Sequence, residues 1–413
     1  MSIKQWKRLE AVRRVDCRDF SMSAAAVSCG LSQRHMRRVC RAVEERGTDG
    51  VVHGNTCREP WNKSPESVRS RVIELFRTKY AGFNDQHFTE KLEEIEGIAV
   101  SRSNVRRWLR AAGLPAARKR RPPRHRRRRD RRPQAGMMLL WDGSRHAWLE
   151  DRGPQLCLVA ALDDATSEML PGAHFVEQEC AAGYLKLLLE ICRGRGIPWS
   201  IYMDQHSIFR RNDDHWTLEE ELRGEQDPTQ VLRAMKALDI EPIYALSPQA
   251  KGRIERVWDT YQDRLVSELR LAGAKTKEEA NAVLARVRPA TNARVMVPAA
   301  EAKSAWRRVP RGTDLERICS FRYTATVQND NTVRLDGKIL DIPAGPRQRS
   351  YAKARVEVRQ LLGGSWCVYH EDNLIADLPA TEVVELRAIR VRKRPAASRA
   401  FRRGIAEIAA SLP

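Results

Sequence analysis

The 413-residue chain carries 74 Lys and Arg against 53 Asp and Glu, a formal net charge of +21, with 42% hydrophobic residues. That apolar share suffices for buried cores, so the basicity is not that of a disordered tail, and the length suits roughly two to four domains. The charge favours a polyanionic partner, most often nucleic acid, because each cation that neutralises a phosphate releases counterions, with an acidic membrane surface as the competing partner. Double-stranded DNA is the nucleic acid expected from the motifs below. Without a membrane-length apolar run or a signal-like N-terminus, no membrane role is expected and the location is cytoplasmic.

The first segment is helical in pattern and rich in Arg. In SAAAVSCGLSQRHMRRVCRAV (23–43) a short helix, a Gly30-Leu31 turn and a second helix capped by Ser32 follow one another. Val27, Leu31, Met36, Val39 and Val43 can face a core, leaving Gln33, Arg34, Arg37, Arg38 and Arg41 outward. That is a helix-turn-helix pattern, whose second helix enters the major groove. A plain helical hairpin with a basic face fits the same residues. His35, Cys40, His53 and Cys57 lie nearby, but their spacing forms no compact zinc pair, and nine scattered cysteines without CxxC read as reduced thiols.

The logic repeats downstream. Ser64 and Pro65 start a helix over 64–80, and FTEKLEEIEGIAVSRSNVRRWLRAAGL (88–114) is helix, Gly97 turn, and helix capped by Ser101. Arg102, Asn104, Arg106, Arg107 and Arg110 lie on that last helix, with Val105, Trp108 and Leu109 available for packing. Residues 118–132, RKRRPPRHRRRRDRR, contain 11 Lys and Arg, and Arg126, Arg127 and Arg128 at their centre are candidate phosphate contacts.

From residue 137 short apolar runs take over. MMLLWDGS (137–144), PQLCLVAALDDAT (154–166) and EMLPGAHFV (168–176) read as successive strands. A helix (180–196), a strand (197–205), a helix (227–240), a strand (241–246) and a long helix from Gly252 to about Leu271 follow. This order implies a mixed five-stranded sheet with helices on its faces.

Three acids stand at telling places: Asp142 at the end of the first strand, Asp204 at the end of the fourth, and Glu255 on the first turn of the final helix. If strands one and four are neighbours, those positions converge. Three carboxylates on rigid elements suit two Mg²⁺ or Mn²⁺ ions and in-line displacement at phosphorus. Lys251 and Arg256 flank Glu255 and are placed to hold phosphates of the scissile strand. Without the two aspartates, Glu255 would read as an intrahelical ion pair with Lys251. Asp163 and Asp164 read as turn caps. The acids of the insertion 208–226 (Asp213, Asp214, Glu219, Glu220, Glu221) read as a solvated helix face, and His146 and His206 as packing residues at least as readily as site residues.

Here the chain resembles the DDE transposase and retroviral integrase superfamily, with DGSRHAW, LDDATSEML, HSIFR, SPQAKGRIERVW and DRLVSELRLAG similar to the ISNCY group of bacterial insertion-sequence transposases. The likeness extends to YAGFNDQHFTEKLEEIEGIAVSRSNVRRWL upstream and NDNTVRLDGKILDIP downstream. It implies an RNase H-like catalytic core, with Asp142, Asp204 and Glu255 as catalytic metal ligands. From Asp204 to Glu255 the spacing is longer than in retroviral integrases, and the polar insertion between them accounts for the surplus.

Beyond the core, FRYTATVQNDNTVRLDGKILDIP (321–343) alternates around an Asp336-Gly337 turn, and strands follow in 354–379 with Gly363-Gly364 between them, which reads as a small β-barrel. The expected architecture is multidomain α+β: helix-turn-helix domains at 1–60 and 61–116, a basic linker at 117–134, an RNase H-like core at 135–305, a β-barrel at 315–385 and a basic tail at 386–413. The expected function is a DNA transposase that binds terminal inverted repeats, exposes 3′-ends and joins them to target DNA, working on DNA at least as a homodimer. A catalytically silent DNA-binding regulator, or a nuclease of the same fold, would share most of these features.

Overall fold

Hydroxyl side chains start the N-terminal helices where the sequence places them. The computed structural model describes residues 1–53, 63–116, 130–211, 216, 218–245 and 252–386. The chain divides into two compact units, Met1–Val72 and Ile73–Pro413. In the first, α1 (Ile3–Asp16), α2 (Met22–Ser28) and α3 (Gln33–Arg46) are capped by the side chains of Ser2, Ser21 and Ser32. Their core is Ala11, Val12, Ala25, Ala26, Met36, Val39, Cys40 and Val51. Val27, expected inside, is exposed, because the small Ala25 and Ala26 let the helices approach in its place. The helix α4 (Glu66–Thr78) crosses the division between the units.

The second unit begins with a small helical module. Beyond α4, α5 (Asp85–Glu94) is capped by Asn84 and α6 (Arg102–Ala111) by Ser101. Phe76, Tyr80, Phe83 and Phe88 pack edge-on or tilted at centroid separations of 5.1–5.3 Å.

A five-stranded mixed sheet follows, as expected from the apolar runs. Its strands are β1 (Met138–His146), β2 (Leu156–Asp163), β3 (His174–Val176), β4 (Ser200–Met203) and β5 (Glu241–Tyr244), in the order β3-β2-β1-β4-β5. The pairs β1–β2 and β2–β3 are antiparallel, and β1–β4 and β4–β5 are parallel. β3 is shorter than the expected 168–176 because Pro171 and Gly172 (φ +88°) break the run.

Alternation along the central strands feeds two cores. Leu139, Trp141, Cys157, Val159 and Ala161 face α7 (Ala181–Gly194) and α9 (Gln230–Ala237). Met138, Leu140, Leu156, Leu158, Ala160 and Leu162 face α10 (Gly252–Leu271) and α11 (Lys277–Val295). α8 (Leu218–Arg223) lies in the insertion. Past α12 (Leu315–Ile318), the strands β6 (Phe321–Thr326), β9 (Arg355–Gln360), β10 (Trp366–His370) and β11 (Asn373–Leu378) form a four-stranded sheet. The hairpin β7 (Thr332–Leu335) and β8 (Lys338–Asp341) turns at Asp336-Gly337, both with positive φ, as the sequence suggests. Both sheets contribute to one apolar core around Val333, Val358, Trp366 and Val368.

Candidate active site

The parallel register of β1 and β4 pairs Met138 with Ser200 and Leu140 with Tyr202. Carried two residues past the last pair, it sets Asp142 level with Asp204. The β1–β4 ladder itself ends at Leu140 and Tyr202, and Asp204 lies one residue past the end of β4. Both are half-buried, and the Oδ1 of Asp204 accepts the backbone N–H of His206 at 3.0 Å.

Asp142 continues the file Met138, Leu140, Asp142, Ser144 on the face of β1 covered by α10. Its Oδ2 accepts the indole N–H of Trp258 at 2.8 Å. Two residues on, the buried Ser144 Oγ accepts from Gln262 Nε2 at 3.2 Å. The long helix is thus fastened to the strand at two points one turn apart. Glu255 is exposed on the first turn of α10, one turn before Trp258.

On the opposite face of β1 stands an acid that the sequence reading passed over. A β-carbon at Gly143 would lie 2.7 Å from the carboxyl carbon of Glu179. Glu179 Oε1 accepts the hydroxyl of buried Tyr184 at 2.5 Å, and the Tyr184 ring stacks on Trp141 at 5.5 Å. Burial, then the charges of Glu179 and Asp142, push the Tyr184 hydroxyl well above its ordinary pKa, so it remains a donor. Each residue of the Asp-Gly-Ser motif therefore has its own contact: Trp258, Glu179 and Gln262.

Asp163 caps the turn, as expected, whereas Asp164 holds the segment ahead of β1. Buried Asp163 accepts N–H groups of Gly136, Ala165 and Thr166, and Asp164 accepts that of Arg132. In the insertion, Glu220 departs from the expected solvated face. It is fully buried, pairs with Arg211, and accepts the N–H of Asp227 at 2.7 Å. Glu221 is exposed, while Asp213 and Asp214, and the side chain of Glu219, lie outside the described residues.

Asp142, expected at the end of the first strand, lies mid-way along β1, which runs on to His146 in its pairing with β2, while Asp204 follows the end of β4. Hard carboxylate oxygens such as these match Mg²⁺ or Mn²⁺ in kind, and neither His nor Cys enters the set. Among the described residues, no three His, Cys, Asp or Glu side chains close into one cluster.

The basic candidates fall into two groups. Gln33, Arg34, Arg37, Arg38 and Arg41 are exposed along α3, as are Arg102, Arg106 and Arg107 on α6, and Arg256 on α10. Asn104 is half-buried and accepts from Arg107 at 2.8 Å. Arg110 donates both to the Asp85 carboxylate and to Leu114 O, so it holds the module together. Arg126, Arg127, Arg128 and Lys251 lie outside the described residues. No helix among the described residues is long and apolar enough to cross a membrane.

No family model matches the chain. It is 36% identical over 286 residues, 69% of its length, to y4bF of Sinorhizobium fredii, which bears the name of a transposase. It is 30% identical over 296 residues, 63% of its length, to the transposase for insertion sequence IS1202 of Streptococcus pneumoniae. These matches span about three fifths of the relatives' own lengths, 61% and 62%. Among solved structures, a simian T-cell lymphotropic virus intasome with PP2A regulatory subunit B56 gamma aligns at TM-score 0.31 and 12% identity, over 77% of this chain and 100% of that one. A pre-cleavage Mos1 transpososome aligns at TM-score 0.18 and 10% identity, over 70% and 98%. Scores this low carry no weight for fold or function. By sequence the chain is similar to these two bacterial proteins named as transposases, one of them of an insertion sequence.

Proposed function

We propose that the protein is a DDE-type transposase, binding the terminal inverted repeats of an insertion sequence and catalysing metal-dependent 3′-end cleavage and strand transfer. The observation that supports this reading is the parallel β1–β4 pairing, whose register continued past Leu140 and Tyr202 would bring Asp142 opposite Asp204, with Asp142 bonded to Trp258 of the helix that bears Glu255. The transposase relatives supply the substrate class. Asp142, Asp204 and Glu255 would hold two Mg²⁺ or Mn²⁺ ions, which when bound would activate the attacking oxygen and stabilise the leaving one. The core would be RNase H-like. The exposed arginines of α3 and α6 would belong to two helix-turn-helix units gripping DNA ends. The C-terminal strands would form a small barrel, and two ends held together would require at least a dimer on DNA.

The test is a cleavage and strand-transfer assay with labelled DNA from the ends of the encoding element. Wild type should join ends to target in Mg²⁺ or Mn²⁺. Asp142→Asn, Asp204→Asn and Glu255→Gln should each bind the ends and lose joining by about a thousand-fold or more, the scale expected when electrostatic stabilisation at phosphorus is removed. A wild type that binds the ends but neither cuts nor joins under either metal would replace this reading with that of a DNA-binding regulator.

A further inference from the structure

Trp258 is the side chain that joins the two halves of the candidate site. Its indole N–H reaches Asp142 Oδ2 at 2.8 Å, while its ring, only 6% exposed, packs in the core between α10 and the sheet. The donor is directional and neutral. It occupies one oxygen of the carboxylate, orients the other, and keeps its proton at any ordinary pH. A Lys or Arg in that place would compete with a cation through its charge; an indole does not.

The same contact sets the helix. Trp258 lies one turn after Glu255, and Gln262 one turn after Trp258 fastens to Ser144. Sliding or rotating α10 would break both bonds together, so the Glu255 position is tied to the Asp142 position through a rigid element.

We propose that Trp258 is a positioning residue for the Asp142 carboxylate, fixing the orientation in which it receives a divalent cation and holding Glu255 in register with it. This rests on the metal-dependent reading above. Outer contacts of this kind are typically worth about ten- to hundred-fold in metal affinity or activity. Trp258→Phe removes the donor and keeps an aromatic ring in the core, and the loss of ring volume is read separately by unfolding.

The experiment measures Mn²⁺ binding to the full-length protein by electron paramagnetic resonance, without DNA, in wild type, Trp258→Phe and Asp142→Asn. Urea unfolding and end-DNA binding are followed in parallel. The expected result is Mn²⁺ affinity about ten- to hundred-fold weaker in Trp258→Phe, with DNA affinity unchanged and joining recovering at high metal. In wild type, the indole ¹H–¹⁵N resonance of Trp258 should broaden on addition of Mn²⁺. This second readout stands even if the variant does not fold. Equal Mn²⁺ affinity in wild type and Trp258→Phe, or an indole signal untouched while Mn²⁺ binds, would overturn the proposal and leave the carboxylate site standing. A wild type that binds no Mn²⁺ would overturn both.

Discussion

The carboxylate of Glu179 fills the space that a side chain at Gly143 would need: a β-carbon there would come within 2.7 Å of its carboxyl carbon and 2.8 Å of Oε1. The glycine of the motif is therefore required by a neighbour on the α7 face, with φ outside the left-handed region. Because the clashing group is the end of a flexible side chain, the cost is displacement of Glu179 from the Tyr184 hydroxyl. Gly143→Ala should destabilise the protein by about 1.5–3 kcal/mol, the scale of a hydrogen bond to a charged group. In a Glu179→Ala background the same change should be nearly neutral, and a double-mutant cycle from urea unfolding would read that coupling. Equal costs in both backgrounds would place the strain elsewhere.

The helical module 73–111 is fastened to α10 through buried charge. Glu268 Oε1 meets His87 Nε2 at 2.7 Å and Lys91 Nζ at 2.8 Å, while Arg264 pairs with Glu90 at 2.8 Å. Burial pushes the Glu268 carboxyl up, but hydrogen bonds from His87 and Lys91 outweigh it and hold the pKa at about 2, against an ordinary 4.5. A depressed folded pKa gives stability that is present in full above the unfolded value and lost as pH falls through the folded one. The stability of wild type should therefore fall progressively from about pH 4.5 towards pH 2, and Glu268→Gln should flatten that slope. At neutral pH, Glu268→Ala should cost about 3–5 kcal/mol by leaving His87 and Lys91 without their buried partner. A neutral Glu268→Ala would mean that the module is held by its aromatic packing instead.

The arginines of the helical segments separate by their present contacts. Arg37→Ala or Arg38→Ala should weaken binding to end DNA and lower the salt dependence by about one counterion each if they meet phosphate. Both variants should melt like wild type, since both side chains are exposed. Arg110→Ala should act first on stability, because its guanidinium holds Asp85 and Leu114 O. Fluorescence anisotropy across a salt series, beside thermal melts, separates the two effects.

The sheet was legible in the sequence because β1 and β2 are apolar on both files, the mark of strands covered on two sides. The candidate acids stood out because Asp142 and Asp204 interrupt apolar runs, yet the apolar run did not show that β1 continues past Asp142 to His146. Other features depend on contacts that no local pattern encodes. Glu179 reads as an ordinary surface acid until the fold brings it against Gly143, 36 positions away. Glu220 lies among other acids and gives no hint that it alone is buried with Arg211. α11 was not singled out because its function is to cap an edge: Asn281 accepts the N–H of Phe175, and Asn292 bonds both N–H and C=O of Met169. Polar residues inside a helix weaken its apolar period, and here they close the open side of the sheet.

The central claim is that Asp142, Asp204 and Glu255 form one metal site. The measurement that meets it most directly is anomalous scattering from crystals of the full-length protein grown with Mn²⁺ and end DNA. Two manganese peaks at about 2.1 Å from oxygens of these three carboxylates are the predicted result, with the peaks weakened or lost in Asp142→Asn. Manganese bound at other residues, with the three carboxylates apart and engaged only by protein groups, would contradict it.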